Sequence, residues 1–129
     1  MVEEIKETVN KHVKSHSYAW NGVWLIIKSQ LNFRIELLVT TAVIAAGIYF
    51  QLSLTEWYGV IFSFTLVLLA EALNSAIEKA CDAIMTKRHG AIRYAKDVSA
   101  GAVLFAAFAA MVVGSMVFWP HISMLLKSL

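Results

Sequence analysis

The feature that most constrains this chain is a run of 22 residues, 98–119, that contains no charged side chain and is closed by Pro120. About 20 apolar residues cross a bilayer as a helix, so this run is long enough to span one by itself. Two further stretches, 33–51 and 57–80, are apolar over most of their length and carry polar residues at their ends. Apolar residues make up 59% of the chain, which is more than a soluble domain of this size can bury. We therefore predict a single-domain, all-α membrane protein with three transmembrane helices.

The segment before the first span, residues 1–30, has the pattern of an amphipathic helix. Most of its apolar side chains follow one another at steps of three and four, the spacing of one helix face: Val2, Ile5, Val9, Val13, Trp20, Val23, Trp24 and Ile27. Lysines on the other face and two tryptophans are typical of a helix that lies in the headgroup region of a membrane. A helix of a soluble bundle is the alternative interpretation.

The distribution of basic residues predicts how the spans are oriented. The turn at 51–56 contains no Lys or Arg, whereas the N-terminal segment and the connection at 81–97 contain several. Because loops rich in Lys and Arg remain in the cytoplasm, the N-terminus and residues 81–97 are expected on that side.

Four polar side chains on the second span form one stripe. Asn74, Glu78 and Asp82 follow Glu71 at offsets that place all four within about 80° of one another on a helix. A carboxylate inside a span is costly unless it is paired or protonated, so it marks a functional site by default. Glu71 suits a general base, and Glu78 with Asp82 suits a hard cation such as Mg²⁺. A helix–helix contact satisfied by Asn74 is the alternative.

A mainly basic segment follows this stripe along the chain. Lys87, Arg88 and His89 come first, and Arg93, Lys96 and Asp97 precede the third span. Basic groups beside carboxylates at a membrane face fit a metal-bridged polyphosphate, although Arg88 and Arg93 are also explained by topology alone. No glycine-rich phosphate loop is present, so a nucleotide would be held without a Walker-type loop. Two other functions remain open from these residues: a small proton-coupled transporter and a non-catalytic membrane subunit.

The residues from Glu71 to Glu78, followed by Asp82 and by Ala95-Lys96-Asp97, resemble the signature of prokaryotic diacylglycerol kinases. Residues 18–22 and 32–34 add to this resemblance, which covers roughly residues 11 to 120. The family includes undecaprenol kinases and consists of small trimeric membrane enzymes with three spans and an amphipathic surface helix. The resemblance implies a homotrimer in the bacterial inner membrane that phosphorylates a lipid alcohol with ATP and Mg²⁺ and binds no nucleic acid.

The resemblance also implies a role for each matching position. Glu71 corresponds to the base that activates the lipid hydroxyl, with Asn74 beside it, and Glu78 corresponds to a metal and ATP ligand. The positions that correspond to the ATP site are Lys11, Tyr18, Gln30, Glu78, Lys87, Arg88, His89, Lys96 and Asp97. The positions that correspond to the lipid site are Trp20, Phe33, Arg34 and Glu71. Lys11 stands where the enterobacterial enzyme has arginine, so the charge is kept and the bidentate fork is lost.

Two features of the resemblance leave questions open. Gln30 stands where the family usually has a second metal-binding glutamate, and an amide oxygen coordinates Mg²⁺ without neutralising its charge. We therefore expect weak binding of a second metal, unless Glu36 or a phosphate oxygen substitutes. Residues 52–57 and 100–103 are more similar to undecaprenol kinases than to the enterobacterial enzyme, and both acceptors, diacylglycerol and undecaprenol, stay under consideration.

Overall fold

The computed structural model of the protein describes residues 1–84 and 89–128. Within those residues there are four helices and no strand: α1 (Val2–Ser29), α2 (Leu31–Tyr49), α3 (Leu54–Ile84) and α4 (Gly90–Lys127). Helices α2, α3 and α4 are each long and apolar enough to cross a membrane. The predicted class, an all-α protein with three candidate spans after an N-terminal helix, is confirmed.

Helix α1 belongs to a compact unit of its own, residues 1–31, and contains no buried residue. It ends at Ser29 because Gln30 is extended, with φ −111° and ψ 115°, while its N–H still donates to the carbonyl oxygen of Ile26. The ammonium group of Lys28 lies 4.7 Å from the centre of the Trp24 ring, a cation–π contact.

The second unit, residues 32–129, contains the three candidate spans, and a tight turn joins the first two. Gln51 adopts a positive φ of 53°, and the N–H of Leu52 donates to the carbonyl oxygen of Gly47. A Cβ atom on Gly47 would lie 2.8 Å from the Trp57 ring, so the absence of a side chain lets the indole pack against α2. The turn is therefore shorter than the polar break predicted at 51–56, because α3 already begins at Leu54.

Helix α3 begins at Leu54 because a capping box precedes it. The hydroxyl and the N–H of Ser53 both donate to the Glu56 carboxylate at 2.7 Å, and the Glu56 N–H reaches the Ser53 hydroxyl at 3.4 Å. This reciprocal arrangement satisfies N–H groups that have no partner within the helix.

Helices α3 and α4 pack along each other, and a polar side-chain contact joins them near each end. Near the start of α3, the Glu56 carboxylate lies 2.8 Å from Nε2 of His121. Near its end, the Asp82 carboxylate accepts a hydrogen bond from Lys96 Nζ at 2.6 Å. The first pair lies beyond Pro120, which α4 passes without ending. A proline removes one N–H donor, and the remaining helical bonds of a long helix are enough to continue it.

Both helices also extend past the apolar segments predicted as spans. Helix α3 continues from residue 80 to Ile84, and α4 begins at Gly90 rather than near Val98. His89 caps α4, because its Nδ1 accepts a hydrogen bond from the N–H of Ala91 at 3.3 Å. Residues 81–84 and 90–97, expected in a connection between spans, are therefore helical. Apolar content sets where a helix enters a membrane and does not set where the helix ends.

Candidate active site in the membrane helices

The part of the polar stripe that contains Glu71 and Asn74 faces the other helices of the second unit. Glu71 and Asn74 are buried, with exposed fractions of 3% and 7%. Glu78 is half-buried and Asp82 is exposed. The stripe therefore connects a buried carboxylate, in the middle of an apolar helix, with the charged end of the helix pair.

Two amide side chains lie beside the Glu71 carboxylate. Asn32 near the start of α2 and Asn74 one turn further along α3 are both close enough for their amides to act on it as hydrogen-bond donors. Glu36 and Glu78 are close enough to act on Glu71 through their charges. Like charges held together in an apolar setting favour binding of a proton or a cation between them. This arrangement suits a proton-accepting group beside a polyphosphate with its metal.

An apolar cleft of about 360 Å³ lies between α2, α3 and α4, and Glu36 is the acidic residue among those that line it. The Glu36 Oε2 atom is buried and has no hydrogen-bond partner within residues 1–84 and 89–128. The walls come from aliphatic and aromatic side chains of the three helices, among them Val39, Val43, Val60, Phe64, Ala107 and Val113. An apolar cleft with a polar group at one side is suited to a molecule that has an alkyl tail and a polar head.

Two ion pairs lie at the charged end of α3 and α4. Asp82, considered with Glu78 as a cation ligand, pairs with Lys96. Asp97 lies 3.5 Å from Nε of Arg93 in an exposed pair on α4. Lys96 is near enough to Glu78 for their charges to interact. A cation and a carboxylate are therefore neighbours where α3 ends and α4 begins.

The described residues contain no cluster of three or more His, Cys, Asp or Glu side chains that could hold a metal by themselves. Mg²⁺ is usually bound through one or two carboxylates together with phosphate oxygens and water, so a complete protein cage is not required. Glu78, half-buried and close to the buried Glu71, provides a carboxylate of the required kind. The donor set of α3 thus fits a metal that is brought with a phosphate ligand.

The other residues predicted for the site are spread over the chain. Lys87 and Arg88 lie outside the described residues, and His89 is the exposed cap of α4. Tyr18 and Trp20 are exposed on α1, where Lys11 pairs with Glu7 at 2.9 Å. In the second unit, Phe33 is buried and Arg34 is exposed at the start of α2.

Three polar residues near Glu71 were not predicted as site residues from the sequence. Asn32 was part of the matching string only, Glu36 was considered only as a substitute metal ligand, and Ser99 was not singled out. The spacing of Asn32 and Glu36, four residues apart on α2, places them on one face and is a signal that a search for polar pairs in spans would find. Ser99 had no comparable signal because its contact is with another helix.

Comparisons with known proteins identify the family of the chain. The family model described as prokaryotic diacylglycerol kinase matches residues 17–118. Undecaprenol kinase of Bacillus subtilis (strain 168) is 31% identical over 117 residues, which are 91% of this chain and 95% of that protein. Diacylglycerol kinase of Escherichia coli (strain K12) is 28% identical over 109 residues, which are 84% of this chain and 89% of that protein.

A diacylglycerol kinase of Synechocystis sp. (strain ATCC 27184 / PCC 6803 / Kazusa) is 37% identical over 107 residues. The match covers 82% of this chain and 61% of that protein, so the chain spans less than two thirds of that relative's length. The family match includes α2, α3 and most of α4, with Asn32, Glu71 and Asn74 inside it. The resemblance drawn from the sequence is therefore confirmed: the chain belongs to the prokaryotic diacylglycerol kinase family.

Proposed function

We propose that this chain is a lipid kinase that transfers the γ-phosphoryl group of ATP to the hydroxyl of a membrane lipid alcohol, either diacylglycerol or undecaprenol. The observation that carries the proposal is the buried Glu71 carboxylate, with the amides of Asn32 and Asn74 beside it in an apolar helix unit. Membership of a kinase family supports the reaction class. It favours this function over a proton-coupled transporter or a non-catalytic subunit.

The lipid acceptor is proposed to bind with its alkyl part along the apolar cleft and its hydroxyl near Glu71. The cleft provides apolar walls on three helices. The Oε2 of Glu36, which has no hydrogen-bond partner within residues 1–84 and 89–128, provides an acceptor for a hydroxyl at the polar part of the cleft. The proposal also includes the other residues predicted from the sequence to contact the lipid: Trp20, Phe33 and Arg34. Their aromatic and cationic side chains suit the boundary between alkyl chains and headgroups.

ATP is proposed to bind at the end of the spans where α3 ends and α4 begins. Lys96 there supplies a positive charge beside Glu78. The remaining proposed contacts are Lys11, Tyr18, Gln30, Lys87, Arg88, His89 and Asp97. Glu78 and Gln30 would hold Mg²⁺, which neutralises phosphate charge when bound.

The chemical step proposed is a direct transfer. The lipid oxygen forms a bond to the γ-phosphorus while the bond from that phosphorus to the bridging oxygen of ADP breaks. Glu71 accepts the hydroxyl proton, and the amides of Asn32 and Asn74 hold its carboxylate in place. Orientation and charge neutralisation supply most of the acceleration in such reactions, with general-base catalysis adding about 10²–10⁴-fold.

Topology and assembly complete the proposal. Basic residues around α1 and between α3 and α4 support a cytoplasmic location for the N-terminus and for the ATP end, in a bacterial inner membrane. An oligomer is proposed because three spans cannot enclose a cavity well by themselves, and a homotrimer is what the resemblance to the family implies.

The test is an assay of lipid phosphorylation by the purified protein in detergent micelles. With radiolabelled ATP and Mg²⁺, we expect label to appear in the lipid fraction when either diacylglycerol or undecaprenol is added, and the larger kcat/KM identifies the preferred acceptor. ATP hydrolysis without lipid labelling, or no reaction with either acceptor, would contradict the proposal. A Glu71→Gln preparation serves as the blank for contaminating kinases.

Gln30 gives a prediction about metal dependence. Since an amide leaves the cation charge unneutralised, Gln30→Glu is expected to lower the Mg²⁺ concentration for half-maximal activity by about tenfold. The measurement is a Mg²⁺ titration of initial rates at fixed total ATP, with Gln51→Glu, in the turn between α2 and α3, as the charge-matched control. Superimposable Mg²⁺ titration curves for wild type and Gln30→Glu would contradict the prediction that Gln30 weakens metal binding.

A further inference from the structure

A buried hydrogen bond links the third span to the residue beside the proposed base. The Ser99 hydroxyl, on α4, donates to Oδ1 of Asn74, on α3, at 2.7 Å. Both residues are buried, with an exposed fraction of 7% each. Asn74 in turn lies within reach of the Glu71 carboxylate one helical turn away, so Ser99, Asn74 and Glu71 are successive neighbours in a row of polar side chains.

The direction of these hydrogen bonds determines how the Asn74 amide is oriented. An amide has an acceptor oxygen at one side and a donor NH₂ at the other. Because Ser99 donates to the oxygen, the NH₂ group is the side left to face the Glu71 carboxylate, which accepts hydrogen bonds when ionised. A flipped amide would place its oxygen against the carboxylate and leave the Ser99 hydroxyl without that acceptor.

The Ser99 hydroxyl also has a local alternative. The carbonyl oxygen of Lys96, on the same helix, lies 3.0 Å from it and is the usual acceptor for a serine inside a helix. Ser115, further along α4, has that arrangement, with its hydroxyl 2.8 Å from the carbonyl oxygen of Met111. The shorter contact of the Ser99 hydroxyl is the one to Asn74 on α3. Because a hydroxyl has a single proton to donate, this contact orients the Asn74 amide.

We infer that Ser99 is a positioning residue for phosphoryl transfer, acting through Asn74 to present an N–H group to Glu71. The inference rests on the proposed function, since it gives Glu71 the role of base. It adds a residue that makes no contact with the reacting atoms. A misplaced catalytic group can cost up to about 10² in rate, and an amide that is free to flip is misplaced for part of the time.

The experiment compares Ser99→Ala with the matched control Ser115→Ala and measures kcat and both KM values with the preferred lipid. Ser99→Ala is expected to lower kcat by about tenfold and to leave the KM for ATP within twofold. Ser115→Ala is expected to retain wild-type kcat, because the Ser115 hydroxyl donates to a carbonyl oxygen of its own helix. Ser99→Thr, which keeps the hydroxyl, is expected to restore most of the lost kcat.

A double-mutant cycle separates positioning from packing. In an Asn74→Ala background, with single-turnover rates from radiolabelled ATP, Ser99→Ala is expected to have no further effect on the rate. An equal loss in both backgrounds, an unchanged kcat in Ser99→Ala, or a Thr variant as slow as the Ala variant would overturn the inference. Absence of lipid phosphorylation by the wild-type protein would overturn the proposed function as well, so the two failures are distinguishable.

Discussion

Glu71→Gln is expected to reduce lipid phosphorylation by about 10³-fold or more, because an amide cannot accept the hydroxyl proton. Glutamine has nearly the same size, and its carbonyl oxygen can still accept hydrogen bonds from Asn32 and Asn74. The fold should therefore be retained. Removal of a buried charge near Glu36 and Glu78 is also expected to leave thermal stability unchanged or higher. The measurements are kcat in detergent micelles and the thermal transition of the same preparation.

Glu56→Gln is the control for this variant. Glu56 is a carboxylate on the same helix, α3, and it pairs with His121 at the opposite end from the proposed ATP site. We expect its loss to lower the thermal transition and to leave kcat within about twofold. Equilibrium binding of ATP should be unchanged in Glu71→Gln. A parallel loss of ATP binding and turnover in Glu71→Gln would argue against a base and in favour of a nucleotide contact.

Glu78→Gln is expected to reduce kcat/KM for Mg·ATP by about 10²-fold, mainly through weaker nucleotide binding, because a ligand that neutralises the cation is removed. Glu78 is half-buried and interacts with the charge of Lys96, so the variant also leaves that cation less well compensated. The KM for the lipid acceptor should remain near the wild-type value. Initial rates are measured against Mg·ATP at saturating lipid and against lipid at saturating Mg·ATP.

A raised Mg²⁺ concentration provides the internal control for Glu78→Gln. If Glu78 holds the metal, excess Mg²⁺ should recover part of the lost activity, whereas it should not rescue Glu71→Gln. Equal loss of affinity for lipid and nucleotide, with no recovery by Mg²⁺, would show that Glu78 supports the fold of α3 rather than the metal.

The three spans were predictable because apolar runs of this length have few alternatives, and the confirmed fold class follows from them. The ends of the helices were harder to predict from the sequence. Residues 81–84 contain no Gly or Pro to stop α3, and α4 is capped by His89, which is not among the common capping residues Ser, Thr, Asp and Asn. Composition alone therefore predicted the apolar segments but not the additional helical turns at the end of α3 and the start of α4.

The same division applies to the site. Spacing along one helix placed Glu71, Asn74 and Glu78 on one stripe, because the geometry of a helix is fixed by its backbone. The contact between Asn74 and Ser99 joins residues 25 positions apart, and it depends on how α3 is aligned against α4. Pairing of Asp82 with Lys96 depends on the same alignment. Sequence patterns within a segment contain no information on that alignment.

The two polar contacts that join α3 and α4 near their ends also have a consequence for the surrounding lipid. Glu56 and Asp82 are 26 residues apart on α3, and their partners Lys96 and His121 are 25 residues apart on α4. At 1.5 Å per residue these separations are about 39 Å and 38 Å, nearly equal and longer than the roughly 30 Å hydrocarbon layer. Neither helix can slide or lengthen without breaking a pair. In a bilayer of different thickness, the helix pair must therefore tilt as one body, or the lipids beside it must stretch or compress.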